Sequence, residues 1–287
     1  HGGLRFGAGD IDDAEACLTK LSEKADTPEA KAEVAARLGQ IAIDAYGDTE
    51  TALARFEQAL ENMPTHRASL EALRTIHTNN ENWTSLVGVV AREASVAPED
   101  RRMPCFIEIA RIWQDRIGNP KVAISSWQKV LQGDPGNAEA EERLLGLYEK
   151  AGDWSGYLDV AERGIDRLAG TAQRDRRAEL GIIAQEKAGD LDRAVGLLRA
   201  AVAVDVPSLP ALDALRTIAH GRGDWEQVIS LTEQEVALAS DPAQRVRLLE
   251  EAARIKLDQL LDRDGAAVLF RAALAQEPKL ESALAFF

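Results

Sequence analysis

The chain has 287 residues, 45% hydrophobic and 29% charged, with a formal net charge of −14. That apolar content excludes a disordered chain, and no apolar run approaches the ~20 residues that a membrane-spanning helix needs. The negative field repels phosphate backbones and anionic membranes and favours basic partners; the plainer reading is that it keeps a long surface soluble.

Residues 1–9 read as a flexible lead or tag remnant. They open at His1-Gly2-Gly3 with no initiating Met. Gly7-Ala8-Gly9-Asp10 holds a Gly-x-Gly with no strand before it, which argues against a nucleotide-binding turn. From residue 10 the sequence divides into units 10–64, 65–135, 136–207 and 208–278, followed by a truncated helix at 279–287.

The first unit carries Leu38-Gly39, then Ala52, Phe56, Ala59 and Pro64. The second holds Ala72-Leu73-Arg74-Thr75-Ile76, Asn82-Trp83, Ala110, a turn at Gly118-Asn119-Pro120, and Ala123, Trp127, Val130 and Pro135. The third carries Leu144, Leu145 and Tyr148 before Gly152-Asp153-Trp154. It continues with Leu180-Gly181, a turn at Gly189-Asp190, and Ala194, Leu198 and Ala201, with Pro207 one residue late. The fourth repeats Ala214-Leu215-Arg216-Thr217-Ile218, turns at Gly221-Arg222-Gly223-Asp224 and continues with Trp225. Asp241-Pro242, an N-cap followed by a first-turn proline, introduces a helix predicted over Val246 to Leu261. After Asp262-Arg263-Asp264 a further helix carries Ala266, Phe270 and Ala273 and stops at Pro278.

The period is 71 residues. Trp83, Trp154 and Trp225 keep that spacing, and Gly39, Ala110, Gly181 and Ala253 form a small-residue column with steps of 71, 71 and 72. Within a period the apolar residues recur every three or four places, as on one face of a helix. Each period reads as four helices joined by short Gly, Asp or Pro turns, with no alternating strand pattern. A fixed period of this kind marks a stacked-repeat architecture. Small residues let two helices approach closely, and a large side chain from the neighbouring helix fills the adjacent space.

The second half of each period resembles the tetratricopeptide repeat. Ala52, Phe56, Ala59 and Pro64 match its second helix throughout; Ala123, Trp127 and Pro135, then Ala194 and Ala201, then Ala266, Phe270 and Ala273 match it with local departures. The first half is a divergent relative, with Leu86, Tyr157 and Val228, and later Glu93 and Glu235, where small residues are usual. The resemblance implies an all-α, right-handed α-solenoid of antiparallel helix pairs with a 71-residue double repeat. It further implies one continuous array over 10–287 of roughly fifteen helices. It also implies a binding surface, because first helices of this family line the concave face. In the divergent halves the inward positions are Glu71, Glu142 and Asp213; in the regular halves they are Gln40, Arg111, Ile182 and Arg254. The Lys and Asn residues with which the family's peptide clamp holds a C-terminal carboxylate are absent, which argues against a chaperone-tail receptor. An acidic ridge with interspersed Arg suits a basic protein or peptide; its plainer reading is a solvated helix face.

No catalytic, metal or cofactor site is expected. His1, His66, His77 and His220 show no metal-ligand spacing. Cys17 and Cys105 form no CxxC pair and read as buried, inert thiols. Asp262-Arg263-Asp264-Gly265 lacks the further acidic ligands of a calcium loop and reads as an N-cap. Asn82-Trp83-Thr84 is a glycosylation sequon by letter, at a helix start. The three period-keeping tryptophans read as packing residues.

The expected function is therefore a non-catalytic protein–protein interaction scaffold. The alternatives are a self-assembling repeat protein, with uncapped ends joining copies as a homo-oligomer, and the substrate-recruiting arm of a longer enzyme or signalling protein. Neither nucleic-acid binding nor membrane insertion is expected. Arg supplies 25 of the 34 basic residues, a bias that suggests a GC-rich bacterial source. A cytoplasmic location is expected, with the periplasm as the alternative.

Overall fold

A computed structural model describes residues 8–287, with side chains from residue 13 onward. All regular structure among the described residues is helical. The chain divides into two compact units that meet in sequence at Leu147 and Tyr148.

The first unit contains α1 (Ala8–Lys24), α2 (Pro28–Tyr46), α3 (Thr49–Asn62), α4 (Arg67–Asn79), α5 (Trp83–Val96), α6 (Glu99–Arg111), α7 (Pro120–Gly133) and most of α8 (Ala138–Ala151). The second contains α9 (Trp154–Ala161), α10 (Gly170–Ile183), α11 (Leu191–Val202), α12 (Leu209–Arg222), α13 (Trp225–Leu238), α14 (Pro242–Asp258), α15 (Arg263–Gln276) and α16 (Glu281–Phe286). Helices pack mainly on their sequence neighbours, α2 on α3 and α14 on α15 most extensively. This is a TPR-like architecture of helix pairs. Residues 1–7 of the expected lead lie outside the described residues, and α1 begins at Ala8.

The repeated turn chemistry has a local cause. A helix leaves its first N–H groups without partners, and a preceding Asn or Asp side chain accepts from one of them. Asn82 does so for Ser85, Asp153 for Gly156 and Asp224 for Gln227, each directly before a period-keeping tryptophan. The sequon at Asn82 is thus a helix cap. Asp262 caps α15 through the Gly265 N–H at 2.8 Å, which accounts for the Asp-rich run. Trp83, Trp154 and Trp225 open α5, α9 and α13 and are half-buried. Arg116 lies 5.0 Å over the Trp83 ring, and His220 meets Trp225 edge-on at 4.9 Å.

The core columns are where the periodicity puts them. Ala52, Phe56 and Ala59 are buried in the first unit, as are Ala123, Trp127 and Val130. Ala194, Leu198 and Ala201, then Ala266, Phe270 and Ala273, repeat the arrangement in the second. Trp127 is fully enclosed and donates its indole N–H to Gln114 at 2.7 Å, so its one polar group is satisfied.

Three expectations need correction. Cys17 is exposed on α1 rather than buried, as are nearly all the described residues of that helix; Cys105 is half-buried. The helix predicted to reach Leu261 ends at Asp258. Leu261 takes a left-handed φ of 54° and is 83% exposed, so the chain turns to place Asp262 as the next cap. The first helices α6 and α10 do not stop as regular α-helix: each runs into a π-helical segment, Ile112–Ile117 and Ala184–Ala188, before a left-handed glycine at Gly118 or Gly189.

Candidate partner-binding surface

The positions expected to face a partner lie on first helices; all but Ile182 are charged or polar, and most are exposed. In the first unit Glu71, on α4, accepts from Arg67 Nε at 2.6 Å, one helical turn away. Gln40, on α2, donates to Asp44 at 2.8 Å. Arg111, on α6, grips Glu139 of α8 with two donors, Nε at 2.8 Å and Nη2 at 2.6 Å. Glu142 is exposed on α8. In the second unit Asp213 accepts from Arg216 at 2.6 Å, Arg254 donates to Glu250 at 2.5 Å, and Ile182 is half-buried on α10.

These contacts change the electrostatic character of the ridge. Glu71 and Asp213 are each paired with an arginine of their own helix, which neutralises much of the charge they offer outward. The Arg67 guanidinium is held above its ordinary range by Glu71, and Arg111 by Glu139. Exposed pairs of this kind contribute little to stability, because solvent and salt screen them. The surface presents patterned ion pairs rather than an unbroken acidic strip.

Two interior polar clusters escape a reading based on the outer positions. Arg74 of α4 bonds Glu93 of α5 at 2.6 Å and pairs with Glu108 of α6. One double period later, Arg216 of α12 bonds Glu235 of α13 at 3.0 Å and Glu251 of α14 at 2.8 Å. Each arginine therefore ties three successive helices together. Glu93 and Glu235 are the large residues that replace small ones in the divergent halves, and the clusters explain why: each is half of an ion pair, partly buried at Glu93 and buried at Glu235. Burial pushes both carboxyls above the usual carboxylate range, and the arginine opposes that shift. Burial would lower the guanidinium pKa values, but the facing carboxylates outweigh it and raise them. The available sequence signal was the repeated Ala-Leu-Arg-Thr-Ile string with a glutamate nineteen residues after each arginine. The intervening period has Leu145 and Gly164 at the corresponding places, and the chain there winds into a 3-10 segment, Glu162–Arg167.

His66 caps α4, its Nδ1 accepting from the Ser69 N–H at 3.3 Å, and His77 is buried, which lowers its pKa; His1 lies outside the described residues. No cluster of three or more metal-ligating side chains occurs among the described residues. None of the described helices is long and apolar enough to cross a membrane.

Comparison with known proteins adds a family match. The tetratricopeptide-repeat family model matches residues 211–246, which span most of α12, all of α13 and the start of α14. The match falls on a pair that the sequence pattern marks as divergent. A search of curated proteins returned no match. Among solved structures, the Naa15/Naa10 complex bound to HypK-THB aligns over 88% of this chain at 19% identity, with a TM-score of 0.48. The aligned chain spans only 38% of the length of that structure's chain. YrrB, a TPR protein with an unusual peptide-binding site, aligns over 70% of this chain and 99% of its own at 15% identity and a TM-score of 0.32. The C-terminal part of a TPR repeat-containing protein from Cytophaga hutchinsonii aligns over 96% of this chain and 94% of its own, at 14% identity and a TM-score of 0.38. Residues 211–246 match the tetratricopeptide-repeat family model, and recurring helix pairs filled by recurring core columns give the described residues a tetratricopeptide-repeat-like helical architecture.

Proposed function

We propose that the protein is a non-catalytic scaffold that binds a protein or peptide partner through the exposed faces of the first helices in its pairs. The observation that carries this reading is a contrast between two sets of positions. The small column is kept, with Gly39, Ala110, Gly181 and Ala253 all buried. The next residue varies freely and is exposed or half-buried: Gln40, Arg111, Ile182 and Arg254. A constant core with changing outward chemistry is how a repeat array builds a specific surface. Glu71, Glu142 and Asp213 give that surface acidic positions suited to a basic segment, in competition with their neighbouring arginines.

A fluorescein-labelled Lys- and Leu-containing peptide, titrated against the full chain, tests the reading. Binding should weaken with salt and fall about tenfold on reversing Glu71, Glu142 and Asp213 to Lys. Unchanged affinity in that triple variant, with helicity retained, overturns the first-helix assignment. Self-association is a second reading, favoured by the exposure of Val268, Leu284 and Phe287. A sedimentation coefficient that stays monomeric as concentration rises rejects it.

A further inference from the structure

A groove of about 510 Å³ opens in the first unit between α5 and α7, with α6 beneath it. Its walls are small residues, Ala91 and Ala94 on one side and Ser125 and Ser126 on the other; its floor is Phe106 and Ile109. Small walls admit the backbone of a bound segment, and the apolar floor takes a side chain.

The charges around it have one sign. The charged residues lining the groove are Arg102 and Lys129. Lys129 Nζ sits 4.3 Å over the Phe106 ring, and Arg102 donates through Nε to the Ala97 carbonyl at 2.9 Å. Among the described residues, Arg102 and Lys129 are in no ion pair with a carboxylate. A chain of net charge −14 thus keeps two cations without carboxylate partners at the rim of an apolar groove.

This groove is separate from the first-helix surface. On α6, Arg102 and Arg111 lie nine residues apart, about two and a half turns, so they project from opposite faces. Arg111 faces α8 through Glu139, whereas Arg102, Phe106 and Ile109 face the groove.

We propose that the α5–α7 groove is a second docking site, and that its occupant is an acidic peptide segment carrying an aliphatic side chain. The aliphatic group rests on Phe106 and Ile109, and flanking carboxylates pair with Arg102 and Lys129. Charge complementarity identifies the occupant: both charged side chains at the rim are cations, and a basic segment would meet like charge at both ends.

The test titrates the full chain with a fluorescein-labelled peptide of sequence Glu-Glu-Leu-Glu-Leu-Glu-Glu and follows polarisation. A counterpart with every Glu replaced by Gln is the control. The acidic peptide should bind saturably and weaken as salt rises. Arg102→Glu with Lys129→Glu should weaken it about tenfold. Ala91→Trp, at an exposed helix position, should block it with helicity unchanged. Glu71→Gln with Glu142→Gln should leave it unchanged, which separates this site from the first-helix surface. Should the charge reversals reduce helicity, Arg102→Gln with Lys129→Gln is read instead. No saturable binding of the acidic peptide, equal binding of the Gln peptide, or full binding by folded charge or Ala91→Trp variants overturns the proposal.

Discussion

A Cβ atom placed on Gly181 would lie 2.6 Å from Cγ and 2.8 Å from Cδ2 of Leu198, so these two residues interlock across the contact between α10 and α11. The equivalent pair in the first unit is looser: a Cβ on Gly39 would lie 3.1 Å from two ring atoms of Phe56. The spacing between partners is the same, but only the first contact leaves no room for a methyl group.

Gly181→Ala is therefore expected to destabilise the fold. Overpacking costs about 1–3 kcal/mol, offset by about 1 kcal/mol of improved helix propensity. Gly39→Ala should be close to neutral, because the ring needs to give only slightly. Urea denaturation of both variants checks this; equal effects would show that the close approach to Leu198 is relieved without strain.

Phe56 and Phe270 are 2% and 3% exposed; Phe56 fills the space beside Gly39, and Phe270 packs against the Phe286 ring at 4.9 Å. Truncating either to Ala should cost about 3–5 kcal/mol. The loss should appear as a lower denaturation midpoint. A change below about 1 kcal/mol would mean that the cavity collapses rather than persists.

Arg216 and Glu235 are the more buried of the two interior pairs, with side-chain exposures of 17% and 5%. Arg216→Met leaves Glu235 without its main partner and should cost about 3–5 kcal/mol. Arg74→Met should cost less, since Arg74 and Glu93 are 33% and 21% exposed. Adding Glu235→Leu to Arg216→Met should recover much of the loss, because no lone charge remains buried. Guanidinium unfolding of the three variants reads this order directly.

Glu235 also sets a pH dependence. Burial raises its folded pKa above the ordinary 4.5, so the native state holds this proton when the unfolded chain has released it. Its contribution to stability is fully present below pH 4.5 and is lost as pH rises through the folded value. Glu235→Gln removes that loss. The variant's stability deficit relative to the parent should therefore be smaller at neutral pH than at pH 4, as measured by paired denaturation curves. A larger deficit at neutral pH would show that the Arg216 partnership outweighs burial.

The sequence by itself determined the helices, the 71-residue period and the main buried columns. These follow from local rules: Asn82, Asp153 and Asp224 cap because their short side chains reach the next turn, and Ala59 or Ala273 is small because two helices meet there. It also named Glu71, Glu142 and Asp213 as candidate partner-facing positions; their exposure follows from helical phase. Only the tertiary structure decided which charges are spent on one another. Arg74 meets Glu93 and Glu108 across three helices, and Arg111 meets Glu139 across two, because helix packing brings together residues 19 to 34 places apart. The cation-rimmed groove was hidden for the same reason. Arg102 and Lys129 are ordinary surface residues by their neighbours in sequence, and they converge only because α5 and α7 leave α6 exposed between them.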